Sequence, residues 1–313
     1  MQIAPYFPPL ASSLASRTIA QARQSDPLES SPAPAGFEVA DAADGSIRPT
    51  CTSWIKRRLE NNGISLIAIR HGQSQSNADS EVQGKILLYG QSESPLTDKG
   101  RGQAHKCAEE LVLRMGGDDW LRQCIDKPQT LPVFISSSMG RALESSHIIV
   151  DHIKAKVEEL GGPEASQRLA PYLEVEAEPR LRETNFGRYE KHPLSEVEDA
   201  YPDFIKSWRP PEGMGTDFLH RFPGGESRAD LMTRMTSFFD SLVTRYPQRS
   251  VVMLSHSECI LGGRTALGLA PVNEGKVRAE TSTIANATPY WLVGTQPARS
   301  SPNFQSGLTI QDF

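Results

Sequence analysis

Two polar clusters in this chain combine residue types that handle compact anions. In SLIAIRHGQSQSN (residues 65–77) an apolar run ends in Arg70, His71 and Gly72, and in SVVMLSHSE (250–258) a second run ends in Ser255, His256 and Ser257. A third segment, FISSSMGRALESSHIIV, carries Arg141 on what reads as the first turn of a helix after a strand. Taken singly, a histidine or arginine after a strand is more often a loop residue than a catalyst. Together, two imidazoles, two guanidiniums and one or more helix N-termini make a receptor for a small, doubly charged group, and phosphate fits that description best.

These side chains meet only if the elements beneath them are arranged to bring them together. The apolar runs at 65–70, 132–136, 172–176 and 250–255 read as strands. Helical periodicity lies between them. Thr97 can cap a helix whose Ala104, Ala108, Leu111 and Met115 share a face, ended by Gly116 and Gly117. Ser227 can cap another that aligns Leu231, Met235, Phe238 and Leu242, with Pro247 just beyond it, and a further helical pattern starts at about Glu258. Strands separated by helices predict an α/β fold, a three-layer α/β/α sandwich with a mostly parallel central sheet. In such a sheet the ligand crevice lies beyond the carboxyl ends of the strands, where all three clusters fall.

Composition narrows the partners. The net charge of −5 leaves no overall field to attract nucleic acid, so an anion must be caught by a local site. The four cysteines, Cys51, Cys107, Cys124 and Cys259, are scattered without zinc-site spacing, which suits reduced thiols in a cytosol-like compartment. No apolar run approaches the roughly 20 residues of a membrane span, so the chain reads as soluble. Residues 1–62, rich in Ser, Ala and Pro at their start, read as a disordered extension. The first 25 of them hold Arg17 and Arg23 but no acid, a composition compatible with a transit peptide or a secretion leader. The folded unit is expected over 63–297, with TSTIANATPYWLVG giving one or two edge strands, and 298–313 reads as a flexible tail.

RHGQSQSN resembles the signature of the histidine phosphatase superfamily, the phosphoglycerate mutase-like group. SPLTDKGRGQA, SSSMGRALESS, LRETNFGRYE, RFPGGESRADLMTRM and VVMLSHSE resemble its further blocks, in family order across about 63–297. The resemblance implies that His71 is a nucleophile forming a phosphohistidine, and that Arg70 and Arg141 clamp the phosphoryl oxygens. It implies that His256 adds a donor or a positive charge, and that Asn77 lies in the same pocket. Glu183 matches the carboxyl that serves as acid and then base; the competing reading makes it a surface carboxylate paired with Arg180 or Arg182. No metal or cofactor is implied. Ser257 and Lys191 stand where the family often has glycine, and Ser257 would line the phosphate site.

LRETNFGRYE resembles the phosphatase branch, so the expected activity is metal-independent hydrolysis of a phosphorylated small molecule. A cofactor-dependent phosphoglycerate mutase is the alternative, against which stands the lack of the mutases' Trp-rich extension and basic insertion. A non-catalytic phospho-ligand-binding or effector protein on the same fold is the other. Residues 191–224 are expected to cover the site, with Phe204 and Trp208 either lining a substrate wall or forming a small core. His220, near the pocket mouth, is the remaining histidine most open to a role. Substrate identity and oligomeric state are not encoded in any motif.

Overall fold

The computed structural model describes residues 28–50, 53–210, 216–273, 276–278 and 284–294. In chain order the strands are β1 (Phe37–Asp41), β2 (Ser46–Pro49), β3 (Ser65–Arg70), β4 (Val133–Ser137), β5 (Val175–Glu178), β6 (Ser250–Ser255), β7 (Val272–Asn273), β8 (Lys276–Val277) and β9 (Pro289–Val293). The α-helices are α1 (Trp54–Asn61), α2 (Gln75–Gln83), α3 (Asp98–Met115), α4 (Gly117–Asp126), α5 (Gly140–Leu169), α6 (Leu194–Ala200), α7 (Pro202–Trp208), α8 (Arg228–Arg245) and α9 (Ser257–Ala266).

The central sheet has the order β5-β4-β6-β3-β9, with four parallel strands and β9 antiparallel at one edge. The inner strands β3, β4 and β6 are largely apolar runs because both faces are covered, as a parallel sheet requires, whereas the edge strand β5 reads VEAE. Leu66, Ala68, Ile135, Val251 and Met253 face α1, α8 and α9, whereas Ile67, Ile69, Phe134, Val252 and Leu254 face α3, α4 and α5. The expected three-layer sandwich is therefore the observed one. Caps fall where the sequence places them: the Thr97 hydroxyl accepts from Gly100 N–H, and Ser227 with Asp230 forms a capping box on α8.

Two expectations differ from the structure. The strand expected at 172–176 begins at Val175, because Ala170–Tyr172 makes a 3₁₀ turn around Pro171. Within the segment expected to be disordered, residues 37–49 form the β1–β2 hairpin and 54–61 form α1. Ile47, Ile55 and Leu59 anchor these elements in the core, too few apolar residues to produce a readable period but each fully buried. Of the one or two edge strands expected in TSTIANATPYWLVG, β9 is the one found among the described residues, and Asn286 adds one parallel bridge to Arg70. Residues 1–27, 51–52 and the tail 298–313 lie outside the described residues, Cys51 among them. Cys107, Cys124 and Cys259 are free and buried. No helix among the described residues is long and apolar enough to cross a membrane.

Candidate active site

Register places the two histidines together. Arg70 pairs with Ser255 at the last rung of the parallel β3–β6 ladder, so the residues that follow leave the sheet side by side. His71 N–H donates to the Ser255 carbonyl at 3.0 Å, and the two imidazole centroids are 5.0 Å apart at 60°. Both rings are buried. Arg141, on the first turn of α5, reaches the same point, its Nε donating to His71 Nε2 at 3.2 Å. Arg70 lies alongside, with one guanidinium nitrogen on the Ile284 carbonyl at 2.8 Å and its buried Nε unpartnered among the described residues.

The His71 ring is oriented by backbone. Its Nδ1 lies 2.6 Å from the Gly72 carbonyl, which can only accept, so the proton sits on Nδ1 and the lone pair on Nε2. The Gly72 peptide is pinned in turn, its N–H donating to Ser145 Oγ at 3.1 Å. Glycine is needed there because a Cβ would fall 2.2 Å from the Gly100 carbonyl at the start of α3. The close approach is to the protein's own backbone.

Burial, reinforced by Arg70 and Arg141, pushes the His71 pKa well below the usual histidine value. Burial does the same to His256, helped by Arg141, His71 and Arg70. Both rings are neutral at pH 7. For His256 these electrostatics favour the neutral ring over the imidazolium. Its Nε2 is 2.8 Å from Ser137 Oγ, while its buried Nδ1 has no partner among the described residues.

Glu183 is buried within the same rim, and Arg180 is engaged by Glu178 at 2.7 Å, so the surface ion-pair reading does not hold. Its Oε1 accepts from Thr184 N–H (2.9 Å) and Cys259 N–H (3.0 Å), and its Oε2 from Glu258 N–H (3.2 Å). Two N-terminal N–H groups of α9, those of Glu258 and Cys259, are thus occupied by this carboxyl. Burial and the neighbouring Glu258 charge raise the Glu183 pKa, against the opposing pull of Thr184 N–H and Arg141.

The remaining candidates sit further out. Asn77 Oδ1 caps its own helix, accepting from Ser74 N–H, and is linked to the His71 loop through Asn286, whose Nδ2 donates to the His71 carbonyl at 2.8 Å. Ser257 opens α9 directly after His256 and is half-buried. Phe204 and Trp208 realise the core alternative, packed with Leu88, Phe186, Val197, Ile205 and Phe222. His220 is held by Asp217 at 2.9 Å.

Sequence reasoning missed the support for Arg141. Its two terminal nitrogens donate to the carbonyls of Gly90 (2.8 Å) and Ser92 (3.0 Å). That loop is shaped by Glu190, whose carboxylate accepts from the N–H groups of Gly90, Gln91, Ser92 and Phe186 and from the Ser92 hydroxyl. Glu190 stands in the LRETNFGRYE block, but nothing in its spacing links it to residues about a hundred positions earlier.

A family profile, histidine phosphatase superfamily (branch 1), matches residues 66–162 and 164–282. A protein from Yersinia enterocolitica named "Probable phosphoglycerate mutase GpmB" is 29% identical over 225 residues, covering 71% of this chain and 83% of the relative. Among solved structures, mycobacterial glucosyl-3-phosphoglycerate phosphatase in complex with VO3 is 24% identical, covering 72% of this chain and 90% of its own, with a TM-score of 0.47. The alpha-ribazole phosphatase from Shigella flexneri is 18% identical, covering 74% and 98%, with a TM-score of 0.44. With its matched profile spanning most of the folded residues and its two strand-end histidines in contact, the chain belongs to the histidine phosphatase superfamily, branch 1.

Proposed function

We propose that this chain is a metal-independent phosphomonoesterase that works through a phosphohistidine at His71. The observation that carries the reading is the His71 ring itself: proton tied to Gly72, lone pair on Nε2, two guanidiniums alongside and a neutral second imidazole in contact. In the first step Nε2 attacks phosphorus, the P–N bond forms and the P–O bond to the alcohol breaks. The Glu183 carboxyl, its pKa raised by burial, gives its proton to the leaving oxygen. In the second step the resulting carboxylate takes a proton from water, whose oxygen attacks phosphorus and breaks the P–N bond, releasing phosphate and the free ring.

Arg70 and Arg141 supply the charge that neutralises the phosphoryl oxygens, and His256 supplies a further donor. Removing one such preorganised donor typically costs about 3 kcal/mol of barrier, a hundredfold or more in rate. The substrate is a phosphorylated small molecule. His71→Ala is expected to lower hydrolysis of an aryl phosphate by at least about 10³-fold with unchanged thermal melting, and chelators to leave the wild-type rate intact. Equal activity in variant and wild type would refute the assignment.

The name carried by the Yersinia relative favours a second reading, phosphoglycerate mutase, in which the same phosphohistidine returns its group to the bound acceptor. Interconversion of the two phosphoglycerates, dependent on a bisphosphoglycerate primer and faster than phosphate release, would establish it over the first.

A further inference from the structure

We infer that Ser137 is a positioning residue that fixes the tautomer of His256, so that His256 presents an N–H, and not a lone pair, to the phosphoryl oxygens. The inference rests on the phosphoryl-transfer reading of the site. Ser137 ends β4 and is fully buried. Its hydroxyl oxygen has two neighbours: Met139 N–H, which donates to it at 3.3 Å, and His256 Nε2 at 2.8 Å. A hydroxyl carries one hydrogen, and an N–H cannot accept it. Among the described residues, His256 Nε2 is therefore the acceptor for the Ser137 proton, and the imidazole must carry its own proton on Nδ1.

The opposite assignment fails on both groups at once. With the proton on Nε2, Ser137 Oγ would receive two donors while its own hydrogen had no acceptor among the described residues. His256 Nδ1 would then offer a lone pair, which repels a phosphoryl oxygen. With the proton on Nδ1, every group is satisfied except that one buried N–H, which lacks a partner among the described residues. A buried unpaired donor is costly, and is retained where a ligand completes it. The neighbouring His71 ring, 5.0 Å away, is where the phosphoryl group would be carried.

Nitrogen-15 NMR of the ligand-free protein reads this directly, with the His256 signals assigned by their loss in His256→Ala. The expected spectrum is that of the Nδ1–H tautomer; an Nε2–H tautomer would overturn the inference. Because the tautomer is read without turnover, even an inactive chain would show which His256 nitrogen carries the proton. Kinetics supply the second arm. Ser137→Ala is expected to lower kcat/KM for an aryl phosphate by about tenfold and to weaken competitive inhibition by inorganic phosphate by a similar factor. In a His256→Ala background the same substitution should cost less than about twofold, since its effect passes through the missing ring. Equal losses in both backgrounds would mark Ser137 as a packing residue and overturn its assigned role. Should Ser137→Ala fail to fold, the wild-type spectrum alone decides.

Discussion

The strand-end rim and the aromatic cluster around Phe222 are both well buried, yet they are held by opposite kinds of interaction. In the rim, Arg70, His71, Arg141, Glu183 and His256 are at most 8% exposed; the first four are tied to backbone groups by directed hydrogen bonds, and His256 to the Ser137 hydroxyl. In the cluster, Phe222 meets Phe186, Phe204 and Trp208 edge to face, with centroids 5.0–5.2 Å apart, in a small core separate from the two that flank the sheet. The rim gives up desolvation energy to hold charge in a fixed geometry, leaving Arg70 Nε and His256 Nδ1 unpartnered among the described residues. The aromatic cluster gains stability from apolar burial. Arg228 joins the two, stacked 4.5 Å over Trp208 while donating to Glu258 at 3.0 Å, on the helix whose N-terminus binds Glu183. Rim substitutions should therefore damage rate more than stability, and substitutions in the aromatic cluster the reverse.

Trp208→Ala tests the aromatic cluster most severely. It removes one of the three ring partners of Phe222 and the platform under Arg228, and should lower unfolding free energy by about 3–5 kcal/mol in denaturant titration. Hydrolysis of a small aryl phosphate should persist below the new melting temperature. A variant that kept its stability and lost its rate would reverse the comparison.

Glu183→Gln probes the rim. Glutamine keeps an oxygen for Thr184 and Cys259 N–H but turns its NH2 toward Glu258 N–H, so a modest loss of melting temperature is expected, and it has no acidic proton to give. Turnover of alkyl phosphates should fall by about a hundredfold, and that of aryl phosphates, whose leaving groups need little protonation, much less. The pH profile sharpens the point. Wild-type activity on alkyl phosphates should decline as pH rises through the elevated Glu183 pKa, and this limb should vanish in the variant. On the acid side, the depressed His71 pKa keeps the nucleophile neutral, so activity should persist below pH of about 6.5. Loss of rate at that ordinary histidine value would contradict the burial argument.

Lys191→Gly predicts the smallest change. Lys191 adopts φ 69°, a conformation costing a non-glycine residue roughly 1 kcal/mol, partly offset by the greater chain entropy of glycine. A gain of a few tenths of a kcal/mol, seen as a slightly higher melting temperature, is expected. Destabilisation would mean that the Lys191 side chain contributes more than its backbone strain removes.

Legibility in the sequence followed the same division. Sheet, helix caps and strand-end histidines were readable because each depends on local chemistry: apolar runs, a capping hydroxyl, a polar residue after a strand. The convergence of Arg70, His71, Arg141 and His256 followed from parallel pairing alone. What stayed hidden depends on contacts between distant segments. Glu190 reaches back about a hundred residues to shape the loop under Arg141, Asn286 reaches the His71 carbonyl, and the Glu183 carboxyl takes two N-terminal N–H groups of α9. The β1–β2 hairpin was missed because a single fully buried isoleucine, Ile47, anchors it.

The most direct measurement is to mix enzyme with excess aryl phosphate, quench within milliseconds under alkaline denaturing conditions that preserve phosphohistidine, and locate the phosphoryl group by mass spectrometry. It should be found on His71 and be absent from His71→Ala. A phosphoryl group on another side chain, or steady turnover with no phosphorylated protein at any quench time and no retention of configuration at phosphorus, would contradict nucleophilic attack by this ring.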